Sequence, residues 1–287
     1  MGEFSDNVAH SNAYYGLRIF NNHLPRTFPC ERLGAYDPND AANPYPENPL
    51  IPAVYRNLVA YKNGRDGAII ERAGAVEWTG FKTADNGEAG MEFSTVKEVE
   101  DGFALITDGL VIGRTENSEE FLDELSPVGI KNPRTENFTI KNVRFYNYDW
   151  NNAAGMGTCS HCQSNSSTDS GARTVTVEDL DFDSTVQKYV DWTVPQRTIF
   201  YDKTGSLTAK GPNSWLAPYW KHLLQPECTN DDLVGGITCD SSVQIRRIFF
   251  SRMPSNFNNK RLKITQLDRN DENAMDTAGE LEDYLDS

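Results

Sequence analysis

Three stretches of this 287-residue chain place apolar side chains at offsets 0, 2, 5 and 7: Phe138/Ile140/Val143/Phe145, Val175/Val177/Leu180/Phe182 and Val243/Ile245/Ile248/Phe250. A fourth, Leu262/Ile264/Leu267, supplies the first three positions. Alternation puts residues 0 and 2 on one face of a strand, and a two-residue step before the next inward pair means that the chain turns a corner and starts a second strand. That is the sequence of one coil of a parallel β-helix. Four Gly-led apolar runs point the same way: those at Gly16, Gly67, Gly90 and Gly109. The last three recur within the repeat range of solenoids.

Few stretches carry the 3.6-residue period of an amphipathic helix. The fold class expected is therefore all-β, a parallel β-helix. The alternative, a β-sandwich, calls for hairpin turns every 8 to 12 residues or so, and tight Asn-Gly pairs occur only at Asn63-Gly64 and Asn86-Gly87. Half of the prolines (Pro25, Pro29, Pro38, Pro44, Pro46, Pro49 and Pro52) fall in one segment, which cannot supply a hydrogen-bond ladder. The expected organisation is a first coil over residues 1–23, a Pro-rich loop insertion over 24–53, coils over 54–267 and an acidic tail over 268–287.

The formal net charge is −15 and the sequence pI about 4.7. A partner that is a nucleic acid or an anionic membrane surface is excluded on that ground, since both need a basic footprint. Eight acidic residues and one basic residue lie between Asp268 and Ser287, so nearly half of the net charge belongs to the tail. The N-terminal residues lack a secretory signal. Five cysteines and two N-glycosylation patterns, at Asn137 and Asn165, argue instead for an extracellular origin.

Longer motifs carry a resemblance. DNVAHSNAYYGLRIF (Asp6 to Phe20), GTCSHC (Gly157 to Cys162), RTIFYDKTGSLTAKGPNSW (Arg197 to Trp215), the PEC element ending at Cys228 and RRIFF (Arg246 to Phe250) follow one another in order. They resemble the β-helix region of the fibrocystin and fibrocystin-L family and, more distantly, the cell-surface hyaluronidases. The resemblance implies a right-handed parallel β-helix, a pectate-lyase-like solenoid, that is a piece of a larger ectodomain, secreted or held by a single-pass anchor, whose terminal coils stack on neighbouring coils or domains of a longer parent chain. One turn departs from the family pattern Asp-x-Asp-Gly-(Ser/Thr): it reads Asp202-Lys203-Thr204-Gly205-Ser206, which weakens any metal role there and favours a tight turn.

Cys228 and Cys239 would close a 12-residue loop, the most defensible disulfide. Cys30 is expected to tie the Pro-rich loop to the Cys159/Cys162 turn. The Cys159-Ser-His-Cys162 set offers at most three zinc ligands, and disulfides are preferred in an exported chain. No metal or cofactor is assigned, although a calcium role is open for Asp179, Asp181 and Asp183, which would face outward at a strand period of two. Tyr146, Tyr148 and Trp150 alternate in the same manner. They could form an aromatic platform for sugar rings or be buried under the following loop.

None of His10, His23, His161 and His222 sits in a catalytic motif, and no catalytic residue is assigned. The function expected is recognition or adhesion by a non-catalytic extracellular segment, with a glycan or an extracellular protein as partner. The rival is a calcium-assisted, hyaluronidase-like enzyme that degrades an acidic polysaccharide.

Overall fold

The computed structural model describes residues 3–20, 23–27, 48–96, 102–121, 128–150, 152–160, 174–192, 198–219, 223 and 226–245. All of these belong to the compact unit Met1–Arg246. The other unit, Arg247–Ser287, lies outside the described residues, and with it the acidic tail, Ile248/Phe250 and Leu262/Ile264/Leu267. Among the described residues there are twenty strands and one 3-10 helix, and no α-helix.

Two parallel sheets account for most of the strands. The first sheet takes β1 (Phe4–Ser5) and β2 (Val8–His10), then β4 (Ala53–Arg56) and β5 (Val59–Tyr61), β7 (Ala75–Thr79) and β8 (Lys82–Ala84), the long β10 (Phe103–Ile112) and β12 (Phe138–Tyr146), and β14 (Thr174–Glu178) with β15 (Asp181–Phe182). The second sheet takes β3 (Leu17–Ile19), β6 (Ala68–Ile70), β9 (Ala89–Phe93), β11 (Val128–Lys131), β13 (Ala154–Gly157) and β16 (Val190–Asp191). The chain alternates between the sheets and advances by one strand at each return.

The 0, 2, 5, 7 spacing has a backbone cause. One residue in each circuit of the first sheet adopts a left-handed conformation: Asp6, Asn57, Gly80, Asp108, Asn142 and Asp179 have φ between 48° and 69°. That residue shifts the in/out alternation by one place, so the next inward side chain arrives one position later. Asn, Asp and Gly tolerate this region best. The register then shows the same spacing where the sequence did not announce it. Phe138 and Ile140 pair with Ala104 and Ile106, and Val143 and Phe145 with Gly109 and Val111. Ala53/Tyr55/Leu58/Ala60 and Val76/Trp78/Phe81/Thr83 continue the column. The signal fades there because small or polar residues fill inward places.

Gly109 corrects an expectation. It does not open a second-sheet run but lies within β10, where an added Cβ would sit 2.1 Å from Cζ of Phe81. The glycines that lead the second sheet are Gly16, Gly67, Gly90, Gly129 and Gly155. They form a stack in which a Cβ on Gly16, Gly67, Gly90 or Gly129 would come within 2.4–2.8 Å of the next glycine's carbonyl oxygen. Leu17, Ala68, Met91, Ile130, Met156 and Val190 follow in register behind them. Between the sheets lies one core that contains Trp78, Phe81, Phe93, Phe138, Phe145 and Tyr148.

The end of the described unit departs from the expected succession of coils. β17 (Ile199–Asp202) still runs parallel to β14, but β18 (Ser214–Ala217), β20 (Gly236–Cys239) and β19 (Cys228–Asp231) follow as antiparallel neighbours. A buried carboxylate causes the reversal. Asp202 accepts hydrogen bonds from the backbone N–H groups of Gly205 (2.9 Å), Leu207 (2.8 Å) and Thr208 (2.9 Å), and Gly205 turns with φ +84°. Cys228 and Cys239, directly opposed in the β19/β20 pair, form a disulfide. Val243 and Ile245 follow in a non-strand segment, so the described part of that third apolar pattern is not a coil. The two ends of the Pro-rich segment meet: Thr27 donates to the Pro49 carbonyl (3.0 Å) and Ile51 to that of Pro25 (3.0 Å).

Candidate functional site

On the outer face of the second sheet, register stacks the side chains two places after each column glycine: Arg18, Ile69, Glu92, Lys131 and Gly157. The residues just before those glycines form a wall beside them. Arg65 and Glu88 occupy equivalent places 23 residues apart, and the Arg65 guanidinium grips Glu88 with both carboxylate oxygens engaged. Together these positions line a recess of about 500 Å³ that also includes Tyr15, Asp66, Glu71 and Ser160.

The floor carries three carboxylates around one ammonium. Lys131 Nζ lies 3.3 Å from Glu92, 3.6 Å from Glu88 and 3.9 Å from Asp66. Ser160 Oγ donates to Glu92 Oε1 at 2.7 Å. Asp66 is fully buried, and neither of its carboxylate oxygens has a hydrogen-bond partner. Burial is the main cause that pushes its carboxyl up to about 7, with Glu92 and Glu88 adding to this against the opposing charge of Lys131. For Lys131, burial pulls the ammonium down, but Asp66, Glu92 and Glu88 outweigh it and hold it above the usual range. Burial likewise raises Glu88, and its hydrogen bond with Arg65 together with Lys131 more than reverses the effect. The arrangement is a polar, part-open seat in which one buried carboxylate is left without a hydrogen bond.

The sequence-predicted residues lie elsewhere. Tyr146 is half-buried on the outer face and borders a second recess of about 530 Å³ with Lys82, Asp108 and Arg144. Tyr148 is only 1% exposed, so it is no part of an aromatic platform. β12 ends at Tyr146, and Asn147 with φ 55° turns the chain so that the Tyr148 ring enters the core, where it stacks on Trp150 with centroids 5.8 Å apart. Trp150 is half-buried, and Arg114 covers its ring at 5.2 Å.

Asp179, Asp181 and Asp183 do not form one strand row. Asp179 is the left-handed corner residue, Asp181 faces Arg144 at 3.8 Å, and Asp183 accepts from Thr185 N–H and Oγ1 at 3.0 and 2.8 Å. Among the described residues they are not one of the sets of carboxylates close enough to share an ion. Asn137 is exposed immediately before β12, while Asn165 lies outside the described residues. Cys159 is disulfide-bonded; Cys30 and Cys162 also lie outside the described residues.

Asp66, Glu88, Glu92 and Lys131 were not singled out by the sequence reading. A signal existed, because Arg18, Glu92 and Lys131 each follow a column glycine by two. Lys131 could be found only once Gly129, rather than Gly109, was recognised as a member of that column.

No helix among the described residues is long and apolar enough to cross a membrane. No family model matches the chain. Human fibrocystin-L is 26% identical over 267 residues, which is 88% of this chain and 6% of that protein. Mouse fibrocystin-L is 24% identical over 270 residues, with the same coverage, and dog fibrocystin is 25% identical over 214 residues, or 75% of this chain and 4% of that protein. The chain thus spans about 6% of the length of the fibrocystin-L relatives it matches.

Proposed function

The chain is related to the fibrocystin family, and we propose that it forms a right-handed parallel β-helix in a fibrocystin-like extracellular region, where it acts in recognition rather than catalysis. The alternation between two parallel sheets, one strand per return, supports the β-helix reading. The observation that carries the function is the recess over the second sheet. Its volume of about 500 Å³ suits one or two sugar rings or a short peptide segment. The Arg18–Glu71 and Arg65–Glu88 pairs set charged donors and acceptors side by side, and Tyr15 adds a ring edge, the mixture of groups that hydroxyl-rich ligands use. A glycan is the ligand favoured by this lining.

Glycan-array binding of the purified chain tests the reading. A defined set of glycans is expected to bind, with binding lost in Arg65→Ala and retained in Lys82→Ala, which alters the second recess instead. Binding that survives Arg65→Ala would remove the recess from the account. Incubation with hyaluronan is expected to leave its chain length unchanged; depolymerisation would replace recognition with catalysis.

A further inference from the structure

We propose that Asp66, Glu88 and Glu92 form a calcium site at the floor of this recess, and that the Lys131 ammonium is the internal cation which calcium displaces. The inference concerns the same recess as the recognition reading but needs no glycan, so the two stand or fall separately. One ligand oxygen from each of the three carboxylates lies within 4.8 Å of the other two. Such a grouping is common on protein surfaces; Asp66 sets this one apart. Its carboxylate is fully buried, aimed into the recess, and without a hydrogen bond to either oxygen. Buried polar groups are nearly always partnered, so a buried carboxylate with two empty oxygens points to a missing cation.

Lys131 meets that need only in part. At 3.9 Å its ammonium is too far to hydrogen-bond Asp66, while at 3.3 Å it approaches Glu92. One ammonium is shared by three anions, and Glu88 is also held by the Arg65 guanidinium. An all-oxygen donor set selects a hard cation. Calcium accepts irregular carboxylate geometry at about 2.3–2.6 Å and completes its shell with water, whereas magnesium demands a near-ideal octahedron that three side chains drawn from two neighbouring circuits do not offer. The open side of the recess admits the water ligands.

Displacement has a consequence for the seat. Three cationic side chains (Arg18, Arg65, Lys131) face four carboxylates (Asp66, Glu71, Glu88, Glu92), so the lining carries one net negative charge. A bound calcium ion reverses that to one net positive charge and frees the flexible Lys131 side chain towards the mouth. Calcium would thereby turn a recess that repels anionic ligands into one that attracts them.

Isothermal titration of metal-free protein with calcium chloride, paired with thermal melts in calcium and in EDTA, tests the site. Saturable one-site binding and a calcium-dependent rise in melting temperature are expected. Asp66→Asn is expected to weaken calcium at least about tenfold while melting no lower than the parent in EDTA, and Lys131→Met to tighten it by about tenfold because the competing ammonium is gone. Glu92→Gln, which keeps the hydrogen bond with Ser160, gives the same loss if Asp66→Asn fails to fold. No saturable binding by the parent chain, unchanged affinity in Asp66→Asn and Glu92→Gln, or weaker affinity in Lys131→Met would each overturn the proposal.

Discussion

The corner after β2, β5 and β8 and the corner that opens the second sheet are built by the same repeating backbone, yet they treat buried polar groups in opposite ways. At the first, Asn12, Asn63 and Asn86 stack: Asn12 Nδ2 donates to Asn63 Oδ1 at 2.8 Å, Asn63 Nδ2 to Asn86 Oδ1 at 2.9 Å, and Asn86 Nδ2 to the Ala60 carbonyl at 3.1 Å. Only a few residues further on, the Asp66 carboxylate is buried with no hydrogen bond to either oxygen. A repeat that satisfies its amides circuit after circuit has the means to satisfy a carboxylate. The difference teaches that the first corner holds the fold together and that the second is left open to something outside it.

Substitutions sharpen this contrast. The largest effect belongs to the shared core. Trp78 is fully buried and stacks on Tyr55 with centroids 4.6 Å apart, so Trp78→Ala is expected to cost about 4 kcal/mol in chemical denaturation. A loss below about 1 kcal/mol would mean that the ring does not join the circuits as described.

Next comes the asparagine stack. Asn63→Ala removes the middle member and with it the side-chain hydrogen bonds to Asn12, Ala9 and Asn86, an expected cost of about 2 kcal/mol by the same measurement. Asp66→Asn breaks the comparison in the other direction. Replacing a buried carboxylate that has no hydrogen bond with a neutral amide is expected to stabilise the metal-free protein by about 1 kcal/mol. Destabilisation of similar size would show that Asp66 is a structural member like the asparagines.

The smallest effect is a pH dependence near the Pro-rich segment. His23 contacts the Tyr55 hydroxyl at 2.9 Å, and burial holds its ring below the usual histidine range, so the folded state keeps it neutral. Below a pH of about 6.5 the unfolded chain takes up that proton more readily, and the stability is lost as pH falls through the folded value. Thermal melts at neutral and mildly acidic pH should show this decline in the parent chain and a smaller one in His23→Gln.

Much of this architecture was legible in the sequence, for a physical reason. A left-handed Asn or Asp between two alternating pairs leaves the 0, 2, 5, 7 spacing, and Phe138 to Phe145 display it with large apolar residues. The earlier circuits use Ala104, Gly109 and Thr83 at the same inward places, so hydrophobicity alone does not reveal them. Gly109 is small because Phe81 fills its space, which no local pattern encodes. The terminal antiparallel strands were missed because Asp202 acts through backbone contacts up to six residues away.

The site was less legible than the fold. Outward positions answer to no core, so their residue types vary from circuit to circuit, and Asp66, Glu88, Glu92 and Lys131 are drawn from a span of 66 residues. Only the register brings them together. The alternating aromatics and aspartates near Tyr146 and Asp181 were conspicuous in sequence because they are close in the chain. Corners at Asn147 and Asp179 then separated them in space.

The most direct test is a crystal structure of the protein grown in calcium chloride, with anomalous data collected at long wavelength. The account predicts an anomalous peak about 2.3–2.6 Å from oxygens of Asp66, Glu88 and Glu92, with the Lys131 ammonium turned towards the mouth of the recess. No peak there, with Lys131 still lodged among the three carboxylates, would contradict it.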